Sequence, residues 1–415
     1  MGNQIVSKST FEPKTKKFFW LVGIIIILIA YITITLLLPA PKIKADIKDF
    51  PSPVTSFASA ISWPAYGQSA IGVSGSGVLA ENGEQVSAPI ASIAKTILAL
   101  AVLEQKPIPS DEKGPTITMT QADVDFFAKD LAQNGSVVPV KVGEKFSEYE
   151  MIQALMIPSG NNIANSLAVW GFGSIENYLA YANDFVSSLS LNQTHLADPH
   201  GLSPQTVSSA HDLIILGEKA MSNPVLAEIV NQKQLTLPTG ETLNNYNTIL
   251  GQDGIIGIKT GNTDEAGGCL LFATKQTTGQ TTGQATNGQD IVIIGAILGA
   301  TSRNQVLLDT KKFIEKNVPN FQVITPVKAG DVVGTYKVRW GKPVSIVAKN
   351  DLSILIVNKE KVTIKTNLNE INAPQSKDAE VGQVTATYGS NSISVPVIID
   401  SKISKPSIFW RLLHP

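Results

Sequence analysis

The sequence holds a single cysteine, Cys269, so no disulfide can form within the chain. Oxidising compartments permit disulfides without requiring them, and this scarcity therefore does not place the protein inside the cell. Cys269 lies in the apolar run 269–273. We interpret it as a small buried hydrophobic residue and assign it no catalytic role.

Charged residues and histidines are also scarce. Charged residues make up 16% of the chain, the formal net charge is −1, and neither sign forms long blocks. Proteins that bind nucleic acid usually carry a basic face, so nucleic acid is not expected as a partner. His195, His200 and His211, with Asp198 and Asp212, could supply metal ligands, but their spacing matches no familiar metal motif. We predict no metal and no cofactor.

A long apolar run stands near the amino terminus. Phe18–Leu38 contains no charged residue, and as a helix it would span roughly 30 Å, the thickness of a bilayer's hydrocarbon core. A cleaved signal peptide has a shorter apolar stretch followed by small residues, whereas here Pro39 and Pro41 flank the one small residue, Ala40. We therefore predict an uncleaved transmembrane anchor in preference to a signal peptide.

The charges beside this run do not fix its orientation in a membrane. The lysines that flank it are Lys8, Lys14, Lys16 and Lys17 before the run, and Lys42, Lys44 and Lys48 after it. This difference is too small for the positive-inside rule to decide which side the rest of the chain occupies. The chemistry of the later motifs is the better guide.

Helical patterns dominate the first half of the body that follows. From Ser92 onward, apolar residues recur at the spacing of one buried helix face. A second helix is predicted to begin at Ser147, because Ser147 and Glu150 form a capping box ahead of an apolar face.

Strand patterns dominate the second half. Gly268–Thr274 and Ile291–Leu298 are apolar runs typical of buried strands. The segment between them, 275–290, contains a tandem four-residue repeat at 277–284 and is predicted to be a flexible hairpin tip. After Pro319, short β-branched runs alternate with turn residues, which indicates an all-β sandwich or barrel.

Ser92-Ile93-Ala94-Lys95 is the first of three short polar motifs. Residues three apart share a helix face, so the Lys95 amine can reach the Ser92 hydroxyl. A serine hydroxyl is a weak nucleophile until a base accepts its proton, and an amine can do so only when neutral. Burial and a neighbouring cation would favour the neutral amine by lowering its pKa. Alone, such a tetrapeptide is more often an ordinary surface turn.

Two further motifs follow, Ser159-Gly160-Asn161 and Lys259-Thr260-Gly261. The first is a sharp turn that could present a hydroxyl to relay a proton and an amide to orient substrate and lysine. The second ends an apolar strand with a cation and a hydroxyl, which suits recognition of a terminal carboxylate. Gly261 would leave room for a substrate backbone along the strand edge. Each of these tripeptides is common by itself.

In this order, the three motifs resemble those of the low-molecular-mass penicillin-binding proteins, the serine-type D-Ala-D-Ala carboxypeptidases. The stretches 159–164, 198–202 and 253–267 are similar to the family's flanking sequences, and the last is the most specific. The resemblance implies an α+β fold with a β-lactamase- and DD-peptidase-like transpeptidase domain, which combines an antiparallel sheet, helices and an all-helical part. A small all-β domain would follow it, and a transmembrane helix would precede it.

Composition and resemblance together predict the domain boundaries. These are a cytoplasmic tail at 1–17, a transmembrane anchor at 18–38, a stalk at 39–66, a DD-peptidase catalytic domain at 67–318, a β-sandwich domain at 319–402 and a C-terminal tail at 403–415. The tail contains Ile408–Leu413, whose aromatic residues could touch a bilayer surface or pack against the β domain. The resemblance implies a single-pass protein of the bacterial cell membrane with its catalytic domain outside the cytoplasm. The amino-terminal anchor departs from family members that attach by a carboxy-terminal amphipathic helix.

The resemblance also implies roles for individual residues. Ser92 would attack the carbonyl between the two terminal D-alanines of a peptidoglycan stem peptide, with Lys95 as the base. Ser159 would return the proton to the leaving D-alanine, Asn161 would orient substrate and lysine, and Lys259 would lower neighbouring pKa values. The backbone N–H groups of Ser92 and Asn262 would form the oxyanion hole. The substrate would be bound by Thr260, Gly261, Asn262, Thr263 and Arg303. β-Lactams would acylate Ser92 and stay, because the opened ring cannot leave.

Other functions share parts of this pattern. A class A β-lactamase also needs a glutamate placed to deacylate the serine, and here Glu176 follows the second motif too closely and Glu218 too distantly. The second motif also has Gly160 where such enzymes usually have aspartate. A β-lactam sensor or a peptidoglycan-binding scaffold without turnover would keep the same motifs, and transpeptidation would use the same residues.

Overall fold

The structure, a computed structural model, describes residues 14–50, 61–75, 77–109, 111–277, 290–318, 321–356, 361–388 and 391–414. The predicted cytoplasmic tail at 1–17 lies outside these residues except for the helical backbone of 14–17. The tandem repeat at 277–284 and the middle of the predicted stalk, 51–60, also lie outside them, apart from the repeat's first residue.

Helices and strands both occur throughout the described residues. The α-helices are α1 (Lys14–Leu37), α2 (Ala94–Gln105), α3 (Gln121–Ala132), α4 (Glu148–Met156), α5 (Asn161–Phe172), α6 (Ile175–Ser188), α7 (Ala210–Ser222), α8 (Pro224–Val230), α9 (Arg303–Asn317) and α10 (Ile408–Leu413). The first strands are β1 (Ala45–Ile47), β2 (Gln68–Val73), β3 (Gly77–Asn82), β4 (Ala88–Pro89), β5 (Thr116–Thr118), β6 (Lys145–Ser147), β7 (Val207–Ser208), β8 (Gln234–Thr236), β9 (Thr242–Asn244) and β10 (Ile255–Thr263). The remaining strands are β11 (Gly267–Thr277), β12 (Asp290–Ala300), β13 (Gln322–Val327), β14 (Val332–Tyr336), β15 (Val344–Ala348), β16 (Leu352–Ile356), β17 (Thr363–Leu368), β18 (Glu380–Tyr388) and β19 (Asn391–Ile399).

An antiparallel sheet with the strand order β10-β11-β12-β2-β3 forms the centre of the predicted catalytic domain at 67–318, which we call the catalytic part. Successive residues of a strand point to opposite faces, and β11 uses this to fill two cores. Leu271 and Ala273 belong to the core that includes α7 and α8, whereas Leu270 and Phe272 belong to the core that includes α9. The predicted α+β class is therefore confirmed, with helices on both faces of an antiparallel sheet.

Helix α2 runs through the middle of the catalytic part. All of its residues from Ala94 to Leu103 are buried, Lys95 among them, and it packs against α4, α5, α6 and α7. A helix that is apolar on all sides is typical of a core position. The turn that carries Ser92 leads directly into this helix, so the predicted nucleophile lies where the helical part meets the sheet.

The carboxy-terminal part is all β. Its sheet has the order β1-β14-β15-β19-β18-β17, and the β13–β16 pair packs against β18 and β19. The β-branched runs predicted after Pro319, at 332–338, 344–348, 354–357, 362–366, 384–388 and 393–399, correspond to β14 through β19 within a few residues at each end. Strand β13 was not predicted from the sequence.

The first segment after α1 is part of this β sheet. Ala45–Ile47 pairs antiparallel with β14, and the Lys48 N–H donates to the Val333 carbonyl at 3.0 Å. Ile43 also bridges to Ile371. This part of the predicted stalk is therefore an edge strand, and it joins the end of α1 directly to the β domain.

Helix α4 begins as the sequence predicts. The Ser147 hydroxyl accepts from the Glu150 N–H at 3.2 Å, and the Glu150 carboxylate accepts from the Ser147 N–H at 2.8 Å.

Glu148, the first residue of α4, is fully buried, and neither of its carboxylate oxygens has a hydrogen-bond partner among the described residues. Burial raises the pKa of Glu148 to about 7, against the opposing charge of Lys106. The protonated form is therefore the one that suits the folded protein.

We predict that Glu148→Gln stabilises the protein at pH 8 and has little effect at pH 5. The folded pKa of Glu148 is raised, so its contribution to stability is complete below the unfolded value of 4.5 and is lost as the pH rises through about 7. The gain at pH 8 should be about 3 kcal/mol, or roughly 6–12 °C in melting temperature. Thermal unfolding at both pH values measures it, with exposed Glu112→Gln as the control. A variant that melts no higher than wild type at pH 8 would contradict this assignment.

Candidate active site

Ser92 occupies a tight turn at the start of α2. Residues Ala91–Ile93 form a 3-10 turn, and Ala91 has a φ of 47°, a left-handed conformation that a non-glycine residue adopts at some cost. Strained backbone of this kind is often found at functional sites. The Ser92 hydroxyl is half-buried and accepts a hydrogen bond from Lys95 Nζ at 2.8 Å.

The Lys95 amine is fully buried and donates to three acceptors from separate segments. Besides Ser92 Oγ, these are Asn161 Oδ1 at 2.7 Å and the His200 carbonyl at 3.0 Å. Burial lowers the pKa of Lys95 to about 7, although the carboxylates of Asp198 and Asp130 act in the opposite direction. At neutral pH a large fraction of this lysine is therefore an uncharged amine that can accept a proton from Ser92.

The Ser159-Gly160-Asn161 motif forms the turn between α4 and α5. Ser159 has a φ of 62°, and its buried hydroxyl makes no hydrogen bond to the described residues. A side chain at Gly160 would meet Ile163, Val138 and the Ala154 carbonyl, each about 3 Å from its Cβ, so glycine is required there. Asn161 is held in place because its N–H donates to the Ser136 carbonyl at 2.7 Å. The turn thus directs the Asn161 amide to Lys95.

Strand β10 brings the third motif to the same place. Lys259 is buried, and its amine donates to the Thr260 carbonyl at 3.1 Å. Burial lowers the pKa of Lys259 well below its usual value, and the charges of Lys95 and Arg303 lower it further. A Cβ on Gly261 would lie 2.6 Å from the Ile90 carbonyl, so the strand can approach the turn before Ser92 only with glycine here.

The remaining predicted residues lie at the end of β10 and the start of α9. Thr260 is buried and Asn262 is exposed. The Asn262 amide oxygen accepts from the Arg303 N–H at 2.8 Å, which joins the two elements. The Thr263 hydroxyl accepts from the Ala266 N–H at 3.1 Å and closes the turn into β11. Asn262 and Arg303 are therefore joined at the end of the strand that packs against the Ser92 turn, while the Thr263 hydroxyl has a partner in the turn into β11.

A loop around His200 completes the surroundings of Lys95. The Asp198 carboxylate accepts from His200 Nδ1 at 2.9 Å and from the Thr206 hydroxyl at 2.5 Å. Burial alone would raise the pKa of Asp198, but these hydrogen bonds and the His200 charge bring it down to about 2. Gly201 has a φ of 82°, and a Cβ there would lie 1.8 Å from the Ala91 carbonyl. The sequence pattern marked this loop, but not the carbonyl it gives to Lys95.

The histidines and acidic residues weighed as metal ligands are dispersed. His200 bonds to Asp198, His211 bonds to Glu81, and the backbone of His195 pairs with Val207. Asp212 accepts from the Gln193 N–H and the Thr194 hydroxyl at the start of α7. In the part of the chain that the structure describes, no group of three such side chains could hold a metal ion.

Most of the candidate site lies within a segment that matches a known protein family. The sequence profile of the D-alanyl-D-alanine carboxypeptidase family matches residues 66–283, which are 218 of the 415 residues. The chain belongs to this family. Residues 321–405 match a second profile, that of the penicillin-binding protein 5 C-terminal domain, so this family member also carries the β domain typical of that group.

Curated relatives and solved structures agree with the assignment. The D-alanyl-D-alanine carboxypeptidase DacA of Escherichia coli is 24% identical over 347 residues, which cover 81% of this chain and 83% of the relative. DacB2 of Mycobacterium tuberculosis is 31% identical over 199 residues, covering 46% of this chain and 63% of the relative. The crystal structure of penicillin-binding protein 5 from Haemophilus influenzae has a TM-score of 0.62 at 20% identity, and the match covers 81% of this chain and 97% of that one. This last likeness shows the fold.

Tyr246 is a feature of the site that no sequence pattern indicated. Its ring lies under the Arg303 guanidinium, with 4.4 Å from the guanidinium carbon to the ring centroid. Its hydroxyl is 3.5 Å from the Ser136 hydroxyl, on the segment whose carbonyl holds Asn161. Tyr246 therefore connects the Ser136 segment to Arg303, and its ring fixes the direction of the Arg303 side chain.

We predict that the Lys95 amine titrates near pH 7 in the folded protein, because burial disfavours its charged form. With ¹³C-labelled lysine, NMR should show a Cε signal with this midpoint. The signal should be absent in Lys95→Ala and present in Lys219→Ala, a change of an exposed lysine on α7. A Lys95 signal that stays in its charged position up to pH 9 would contradict the proposed base.

Proposed function

We propose that the chain is a serine-type D-Ala-D-Ala carboxypeptidase that trims peptidoglycan stem peptides through an acyl-enzyme on Ser92. The observation that carries this proposal is the hydrogen bond from the buried Lys95 amine to the Ser92 hydroxyl, inside the segment that matches the family. Relatives named D-alanyl-D-alanine carboxypeptidase over most of the chain's length support the substrate class.

In the proposed reaction, Ser92 Oγ forms a bond to the carbonyl carbon of the penultimate D-alanine while Lys95 takes the hydroxyl proton. The C–N bond then breaks, and the leaving D-alanine amine receives that proton through the Ser159 hydroxyl. Water next attacks the ester, with Lys95 again accepting a proton, and this step releases the shortened peptide and restores Ser92. The depressed pKa of Lys95 suits both steps, because a base near neutrality can take up and return a proton.

The proposed binding residues lie on β10 and at the start of α9. Thr260 and Arg303 hold the terminal carboxylate of the substrate, and the Arg303 guanidinium supplies the positive charge, with Lys259 next to Thr260 on β10. The backbone N–H groups of Ser92 and Asn262 stabilise the oxyanion, a contribution of about 3 kcal/mol per donor in comparable sites. Gly261 supports this arrangement, since it lets the edge of β10 approach the turn that carries the nucleophile.

The positions of the two candidate glutamates speak against a β-lactamase. Glu176 is exposed at the start of α6, and its segment is capped by Ser174. The Glu218 carboxylate accepts from the Gly77 N–H at 3.1 Å, at the β2–β3 turn. Neither observation places a carboxylate beside Ser92 for rapid deacylation. Penicillin is therefore expected to stay attached to the enzyme.

We further propose that α1 anchors the protein in the bacterial cell membrane as a single span, with the catalytic domain outside the cytoplasm. The apolar residues Phe18–Leu37 have a mean hydropathy of 2.7 and are almost all exposed, which suits contact with lipid. The hydroxyls of Thr33 and Thr35 bond back to carbonyls of the same helix, so they can lie in an apolar medium. The pairing of β1 with β14 then holds the β domain next to the membrane.

We predict that penicillin adds once to the protein, on Ser92. Intact-mass spectrometry should show a gain of one penicillin molecule for wild type and for Ser74→Ala, which alters an exposed serine at the β2–β3 turn. Ser92→Ala should show no gain, because it lacks the nucleophile. An adduct that survives Ser92→Ala would refute this mechanism.

Turnover separates the enzyme from a β-lactam sensor or a peptidoglycan scaffold. We predict that the wild type releases D-alanine from diacetyl-lysyl-D-Ala-D-Ala, and that Lys95→Ala slows release by about 10²–10⁴-fold through loss of the positioned base. Lys219→Ala serves as the control. Binding of the peptide without any D-alanine release would favour the scaffold.

Tyr246 gives a prediction about substrate binding. Tyr246→Ala should raise KM for this peptide by about fivefold, equivalent to about 1 kcal/mol, because Arg303 loses the ring that orients it. Tyr246→Phe keeps the ring face and should stay close to wild type, and kcat should change little in both. Equal losses in the two variants would show that the hydroxyl, and not the ring, is what matters.

A further inference from the structure

A cavity of about 500 Å³ lies where the end of α1 meets the carboxy-terminal segment, far along the chain from the catalytic motifs. Its walls include Thr35 and Leu38 from the end of the apolar span, and Arg339, Trp410, Arg411 and His414 from the other side. No carboxylate occurs among the described residues that line it. The cavity is therefore a cationic site beside an apolar helix.

Hydrogen bonds hold the walls of this cavity together. The Tyr31 hydroxyl donates to the Leu412 carbonyl at 2.7 Å, and the Arg411 guanidinium donates to the Leu38 carbonyl. The second bond caps one of the carbonyls that the end of α1 leaves unpaired. A guanidinium has five N–H donors, so Arg411 keeps others for a ligand. The cavity is thus built from both ends of the chain.

The β domain supports the same cavity. Trp340 donates its indole N–H to the Ser404 carbonyl at 2.7 Å, and its ring packs edge-on against Trp410 at 5.3 Å. Trp410 also stacks on His414 at 4.5 Å. This packing fixes α10 against the domain that carries Arg339. Ile408, Phe409 and Leu413 remain exposed on α10 by 65%, 73% and 61%.

The composition of the chain singles out the two arginines. The sequence has 33 lysines and arginines together, of which only Arg303, Arg339 and Arg411 are arginine. Arg303 lies at the active site, and the other two line this cavity. Lysine supplies nearly all other positive charge. Arginine differs from lysine in its planar fork of donors, which matches the oxygens of a phosphate or carboxylate.

The position of the cavity along α1 indicates which class of anion it can bind. If α1 spans the membrane, Thr35 and Leu38 lie where the hydrocarbon ends and the headgroups begin. Tryptophan is enriched at this depth, where Trp340 and Trp410 would lie. The exposed apolar residues of α10 would contact the acyl chains near the headgroups. At this depth, the anions in direct contact with a cationic cavity are the phosphates of phospholipid headgroups.

We propose that this cavity binds the phosphate of an anionic phospholipid headgroup, held by Arg339 and Arg411. The proposal rests on the proposed membrane anchor. Bound lipid would fix the β domain, and with it the catalytic domain, at a set height and direction relative to the membrane surface.

Retained lipid gives the test. The full-length protein is reconstituted in nanodiscs of phosphatidylcholine, alone or mixed with phosphatidylglycerol, then transferred to mild detergent for native mass spectrometry. Wild type should retain one phosphatidylglycerol in preference to phosphatidylcholine. Arg339→Gln with Arg411→Gln should reduce that retention about tenfold or more. Lys141→Gln with Lys219→Gln, an equal loss of charge at exposed positions of the catalytic part, should leave it unchanged.

Three results would overturn the proposal: equal retention by the arginine double variant, equal retention of phosphatidylcholine, or displacement of the lipid by inorganic phosphate, which would assign the cavity to free phosphate. Arg339→Lys with Arg411→Lys keeps the charge and should still lose part of the retention. Penicillin acylation of each preparation reports its folding.

A carbonate wash of the membranes tests the anchor separately. A protein that the wash removes from the membrane contradicts the proposed anchor. A protein that stays in the membrane but shows no lipid preference contradicts only the proposed lipid site.

Discussion

The burial of the Lys95 amine is the interaction on which the site depends. The amine lies out of contact with solvent, and its three acceptors come from the Ser92 turn, the start of α5 and the His200 loop. Burial disfavours the charged form of this amine because it removes the hydration of the cation, and among the described residues no carboxylate bonds to the amine directly. In the neutral form the amine keeps two N–H groups for Asn161 Oδ1 and the His200 carbonyl, and its lone pair then accepts the proton of the Ser92 hydroxyl.

Several backbone features serve this one contact. Glycine at 201 and 261 lets two segments approach the Ser92 turn, where a Cβ would collide with the Ala91 or Ile90 carbonyl, and Gly160 allows the tight turn that carries Asn161. Ala91 and Ser159 both adopt left-handed backbone, in the two turns that bring Ser92 and Asn161 to the Lys95 amine. The core formed by α2 and its neighbours holds these turns in register, since α2 is buried along most of its length. Stability of the fold and chemistry of the site therefore share the same residues.

Local signals accounted for much of this structure. The capping box at Ser147 and Glu150 predicted the start of α4, and two apolar runs predicted β11 and β12. The three motifs indicated the residues that meet around Lys95. Contacts between distant segments left no local signal, as with the pairing of β1 and β14, the His200 carbonyl and the ring of Tyr246. Such contacts depend on which surfaces the folded chain brings together, and a backbone carbonyl carries no residue identity to recognise.

The most direct measurement of the central claim is the rate at which penicillin acylates Ser92 as a function of pH. If neutral Lys95 is the base, the second-order rate constant should level off above about pH 7 and fall about tenfold per pH unit below it. A rate that stays constant from pH 5 to pH 8 would contradict this account, because Lys95 would then not need to lose its proton before Ser92 reacts.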